Sequence, residues 1–254
     1  MTPLLAHIAD LVGLSEPLFL GWFLVFLRVS AAVALMPGFG EASLPARVKL
    51  GVAVALSLLV LPLVQTGRDI SVAVLLAEIG IGVLLGLSLR LLILALQTAG
   101  AIIAQSISLA QLFGGAGEPQ PVIGNFLTLA AIALALAGGL PAKAVHLLVL
   151  SYDLLPQGGI PTPGEIADWG VRQVAQGFRL AFSLAAPFVI ASLLYNVALG
   201  VINRAMPQLM VAMVGAPAIT LGGIALFAIA APHMLAIWQL ALERSLTTPL
   251  GSTP

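Results

Sequence analysis

An all-α, polytopic integral membrane protein is the fold class this sequence predicts, and three observations predict it. Charged residues make up 8% of the 254 residues, whereas water-soluble domains place charge on about a quarter. Apolar stretches recur at 17–36, 50–67, 71–112, 122–142, 180–203 and 205–242, near or beyond the roughly 20 residues that a bilayer-crossing helix needs. The mean hydropathy of +1.13 follows from the same residues. One membrane-embedded domain over 1–254 is expected, since no linker-like composition divides the chain.

Composition also excludes function classes. Net charge is zero and no run of Lys or Arg occurs, so neither nucleic acid nor an anionic surface is an expected partner. Absence of Cys removes disulfides, thiolate metal sites and a Cys nucleophile. His7, His146 and His233 are scattered and form no metal-binding pair. No phosphate-binding loop, GxSxG or triad spacing occurs. The chain is therefore expected to be no enzyme and to hold no cofactor.

The elements follow in order. The first Lys or Arg is Arg28, so no basic segment precedes the apolar run and no cleaved signal is expected. Leu4, Ile8, Leu11 and Val12 recur at helical spacing, which suits a short amphipathic helix or a plain connector. Pro17 to Met36 is the first span. Pro37-Gly38-Phe39-Gly40 turns the chain, and Leu50 to Gln65 returns it. From Ile70 to Leu112 there is neither proline nor turn cluster. As one helix it would be about 65 Å long at 1.5 Å per residue, twice the hydrocarbon thickness of about 30 Å. A single long element projecting from the bilayer is expected, which points to an assembly.

Phe113 to Pro121 concentrates glycine, proline and one carboxylate. Val122 to Leu140 forms the fourth helix, broken at Gly138-Gly139 and Pro141, with a shorter helix to Leu155. The stretch 156–179 is the most polar, and Trp169 in it suits an interfacial anchor. Pro187, Pro207, Pro217 and Pro232 divide the last block into two or three helices joined by irregular backbone. Such backbone survives at membrane depth only inside protein or beside water.

Chemistry-bearing residues are few. Arg28, Glu78 and Arg90 lie inside apolar helices, where a charge costs on the order of 3 kcal/mol and needs a partner. A relay usually shows several carboxylates or histidines, so structural pairing is the preferred reading. Gly82 and Gly86, four residues apart, allow close helix packing. Gln97, Gln105, Gln111, Asn125, Asn196, Asn203 and Gln208 need hydrogen bonds away from lipid, either between helices or along a wet passage.

At several places the chain resembles a known family. Pro37-Gly38-Phe39-Gly40 with Leu44-Pro45-Ala46-Arg47-Val48 come first. Glu78-Ile79-Gly80 with Gly86, then Gly100, then Asn196 with Gly200 follow. Asn203-Arg204-Ala205-Met206-Pro207-Gln208-Leu209 before Gly215-Ala216-Pro217 complete the series. Their order resembles the FliR family of flagellar export-gate proteins and its relatives in virulence type III secretion. The resemblance implies a gate subunit in the bacterial inner (cytoplasmic) membrane, at the flagellar basal body. It implies two smaller partners, FliP-like and FliQ-like, with FlhB-like and FlhA-like proteins nearby and unfolded flagellar proteins as cargo. It also implies a pore-plug loop, matching Gln111, Leu112, Phe113, Gly114 and Gly115. A secondary transporter of small solutes or ions, with a site at the proline-broken helices, is the alternative; neither an internal repeat nor paired site charges support it.

Overall fold

A computed structural model describes residues 3–65, 71–107, 122–159, 161–206 and 211–249, with side chains described in all of these except 3–17, 211–214 and 216. Among the described residues there are helices and no strands. They are α1 (Pro3–Leu35), α2 (Ala46–Val60) with a 3-10 turn at Leu61–Leu63, α3 (Val72–Ser106), α4 (Val122–Ala137), α5 (Leu140–Leu154), α6 (Pro163–Ala205) and α7 (Val211–Thr247). Five are long and apolar enough to cross a membrane, and α4 with α5, bent by 77°, makes a sixth if counted as one span. The all-α, polytopic class is borne out.

Three expectations are corrected. Pro3–Leu35 is one helix rather than an amphipathic segment followed by a span. Of the two or three helices expected in the last block two are found, α6 and α7, but Pro187, Pro217 and Pro232 lie inside them and divide neither; Pro207 lies outside the described residues. Prolines are tolerated in membrane helices because neighbouring groups re-satisfy the freed carbonyls. Trp169 is not an interfacial anchor: it is buried, with Nε1 donating to the Pro249 carbonyl at 3.5 Å. Helix α6 already begins at Pro163, fixed by a capping box in which Thr162 N and Oγ1 donate to Glu165 Oε2 at 2.8 and 2.9 Å. Thr162 Oγ1 accepts from Glu165 N at 3.4 Å in return.

The chain divides into two compact units. The first comprises 1–90, 136–170 and 244–254. In it α1 buries Leu24, Val25, Val29, Ala32 and Val33, and α3 buries Ala77, Ile81, Leu85 and Leu89, each on one helical face. Helix α2 lies antiparallel to α1, with Trp22 Nε1 donating to Ser57 Oγ at 2.9 Å and Lys49 Nζ to the Gly40 carbonyl at 3.2 Å. The second comprises 91–135 and 171–243. There Trp238, fully buried, donates from Nε1 to the Leu92 carbonyl at 3.0 Å. Gly100 meets Gly124 so closely that a methyl group at position 100 would overlap the facing backbone.

Candidate functional site

The first unit is organised around a buried ion pair. Arg28 and Glu78 are both fully buried, and the guanidinium meets the carboxylate side by side, Nε to Oε2 at 2.7 Å and Nη2 to Oε1 at 2.9 Å. Two parallel charge-assisted bonds are the strongest arrangement this pair can adopt. Four more bonds leave Arg28. Nη1 donates to the Ser151 carbonyl and Ser151 Oγ, both at 3.2 Å, and both Nη1 and Nη2 donate to the Leu155 carbonyl at 3.1 Å. The Tyr152 ring stacks under the guanidinium, 3.7 Å from Cζ to ring centroid.

These carbonyls belong to the last turn and C-cap of α5. The Ser151 carbonyl accepts the last intrahelical bond, from Leu155 N at 2.9 Å, whereas that of Leu155 lies past it, and the helix dipole places partial negative charge there. Arg28 therefore caps α5 from another helix. Glu78 does the complementary work on the following turn: Gly158 N donates to Oε1 at 3.2 Å and Tyr152 Oη to Oε2 at 3.3 Å. Gly158 holds φ +73° and packs against Val74, and Gly159 N closes the turn on the Pro156 carbonyl at 2.9 Å. All donors and acceptors of the pair point inward at protein partners, so nothing is left over for passing a proton onward. Burial without this saturation would destabilise the fold.

The two helices that carry the pair run parallel. Gly82 meets the Arg28 carbonyl so tightly that a methyl there would overlap it, and would lie 2.8 Å from Ala31 Cβ; a methyl on Gly86 would lie 2.6 Å from the Ala32 carbonyl oxygen. These two glycines set the approach of α3 to α1 that brings Glu78 within reach of Arg28. Gly80, two residues earlier, has open space around it.

Arg90 stands apart from this cluster. Its Nη1 meets Glu41 Oε1 at 2.8 Å, with both side chains partly exposed. Glu41, Ser151, Tyr152, Leu155 and Gly158 are partners that the sequence reading missed. A weak signal existed for Glu41: Arg28 and Glu41 are separated by nearly the same distance as Glu78 and Arg90, with the signs reversed. Parallel helices pair such residues. Gln111, Leu112, Phe113, Gly114 and Gly115 lie outside the described residues. Of the amides, Gln105, Asn125, Asn196 and Asn203 sit on outer faces rather than between helices, and Asn196 Nδ2 bonds Ser192 Oγ on its own helix at 3.3 Å. Among the described residues no cluster of His, Asp and Glu could hold a metal ion.

Fold and site define a class: a multi-pass, all-helical membrane protein in which one buried, saturated ion pair ties α1 to α3 and to the end of α5. Comparison with known proteins narrows it. Residues 19–245 match the model of Bacterial export proteins, family 1, and the chain belongs to that family. It is 33% identical over 228 residues to the flagellar biosynthetic protein FliR of Caulobacter vibrioides, covering 85% of this chain and 90% of that protein. The FliR of Pectobacterium carotovorum is 34% identical over 204 residues, 77% of this chain and 78% of its own. That of Escherichia coli K12 is 31% identical over 222 residues, 83% and 84%.

Proposed function

We propose that this chain is a non-enzymatic subunit of a flagellar type III protein export gate in the bacterial cytoplasmic membrane, where it forms part of the channel for unfolded flagellar proteins. The observation that carries this reading is the family match over residues 19–245, together with similarity to FliR proteins of several bacteria over more than four fifths of the chain. Helices far longer than the bilayer, such as the 43-residue α6, support it as well. At 1.5 Å per residue α6 extends about 65 Å, and its outward side carries Phe178, Phe182, Ile190, Leu193, Leu194 and Val201. Lipid covers about 30 Å of such a face; neighbouring subunits cover the rest. FliP-like and FliQ-like proteins are the neighbours that the family resemblance implies, with FlhB-like and FlhA-like proteins next to them. Deleting the gene and scoring swimming and secretion of flagellar proteins tests the reading; unchanged secretion overturns it.

Within this function, Gln111-Leu112-Phe113-Gly114-Gly115 supplies the pore plug. Leucine and phenylalanine give apolar bulk that excludes hydrated ions, and the glycines allow the backbone to swing aside. Deleting 110–117 raises membrane conductance in cells whose gate still assembles. Background conductance in an assembled gate sinks the plug.

A further inference from the structure

Helix α3 ends at Ser106, and Ile107, the next residue, is buried. Carbonyls at a helix C-terminus run out of partners within their own helix and take them from elsewhere. That of Ile107 accepts from Thr220 Oγ1 on α7 at 3.2 Å, and Thr220 is itself buried. One turn further along α7, Gly223 lies so close to the Ile107 side chain that a methyl there would overlap its Cβ and Cγ2. One side of α7 makes both contacts, since residues three apart share a helical face.

The same face reaches the helix that follows 108–121. Phe227, seven residues after Thr220, meets Phe126 on α4 edge to face, with ring centroids 5.9 Å apart. Gly124 of α4 in turn packs against Gly100 of α3. One stripe of α7, Thr220–Gly223–Phe227, thus holds the residue before 108 and the start of the helix after 121. Shape alone does not fix Ile107. A groove of about 220 Å³ opens beside it, walled by Phe188, Tyr195 and Ile219, so a displaced Ile107 side chain has apolar space to enter. The hydroxyl bond is what selects one position.

We infer that this stripe of α7 is the anchor of the plug, and that Thr220 is a positioning residue whose hydroxyl keeps the closed gate ion-tight. The inference rests on the plug reading of Gln111 to Gly115. Gln111 follows Ile107 by four residues, which span at most about 14 Å of extended chain. Where Ile107 is held, the apolar bulk of the plug is held within that reach. A hydroxyl suits the task, because once hydrogen-bonded it can be buried among apolar neighbours where an unpaired charge could not.

Thr220→Val keeps the shape and removes the donor, whereas Thr220→Ser keeps the donor. Each is expressed in the deletion strain beside a variant lacking 110–117. Membrane conductance is read per assembled gate, counted by recovery of the native-sized complex. Loss of one hydrogen bond to a buried carbonyl shifts a two-position equilibrium on the order of tenfold, so T220V is expected to raise ion leakage by about that factor. T220S is expected to stay at the native level. A weakened fold lowers the number of gates but not the leak through each, so the per-gate reading separates positioning from stability. Should T220V not assemble, Ile107→Ala, which shortens the side chain against Gly223 and leaves the backbone carbonyl, is expected to leak in the same direction. Native conductance in the assembled variant overturns the anchor, and so does leakage by T220S equal to that of T220V. The two readings fail differently. Leakage on deleting 110–117 but not from T220V sinks the anchor alone, whereas background conductance after the deletion sinks the plug and the anchor with it.

Discussion

Exchanging the charges of the buried pair, Arg28→Glu together with Glu78→Arg, separates a simple ion pair from a directional joint. A pure charge interaction would survive the exchange. Here it does not, because Arg28 also donates to the Ser151 and Leu155 carbonyls and Glu78 also accepts from Gly158 N and Tyr152 Oη. After exchange a carboxylate faces carbonyl oxygens and a guanidinium faces an N–H. Each buried group left unsatisfied costs about 1–3 kcal/mol. Removing one member alone costs about 3–5 kcal/mol, since its partner's charge stays buried. Glu78→Gln falls in the same range: whichever way the amide turns, its NH2 opposes one Arg28 donor and one further donor. The exchanged protein is therefore expected to be no more stable than either single variant. Thermal unfolding of the assembled complex in mild detergent reads this as a drop on the order of 10 °C, with membrane abundance as a second measure. Recovery by the double exchange to within a few degrees of the native protein would refute the joint and leave only Coulomb attraction.

Packing makes a contrast among three glycines on one helix. Gly82→Ala and Gly86→Ala are expected to force α3 from α1 and cost about 1–3 kcal/mol or more, whereas Gly80→Ala, with open space around it, is neutral or stabilising by up to about 1 kcal/mol; the same unfolding assay ranks them. Glu41→Ala and Arg90→Ala should each cost less than about 1 kcal/mol, because the pair is partly exposed, and their double variant should match either single one. Thr162→Ala removes the α6 cap and should cost about 1 kcal/mol, seen as faster proteolysis near 162 in membrane preparations.

The long elements were legible because their signal is local. An unbroken apolar run from 70 onward has few other ways to satisfy its backbone in lipid, and α3 is one helix of 35 residues. Gly82 and Gly86 could be singled out by spacing, and Arg28 and Glu78 by the cost of charge among apolar neighbours. What the joint does to α5 was hidden, because its partners lie 123 and 127 residues away and are backbone carbonyls, which every residue possesses. The prolines misled for a related reason. Pro187 and Pro232 break helices in water, where nothing favours continuation, but within a packed membrane helix continuation satisfies more of the backbone than a break does.

The C-terminal cap of α5 also fixes an order of events during synthesis. Glu78 leaves the ribosome 50 residues after Arg28, and Leu155 follows 127 residues after it. At translation rates of about 5–20 residues per second, Arg28 spends on the order of ten seconds in the membrane without its final set of acceptors. Insertion of the early helices therefore precedes completion of their centre, and any nascent chain stopped before α5 carries an arginine still waiting for its oxygens.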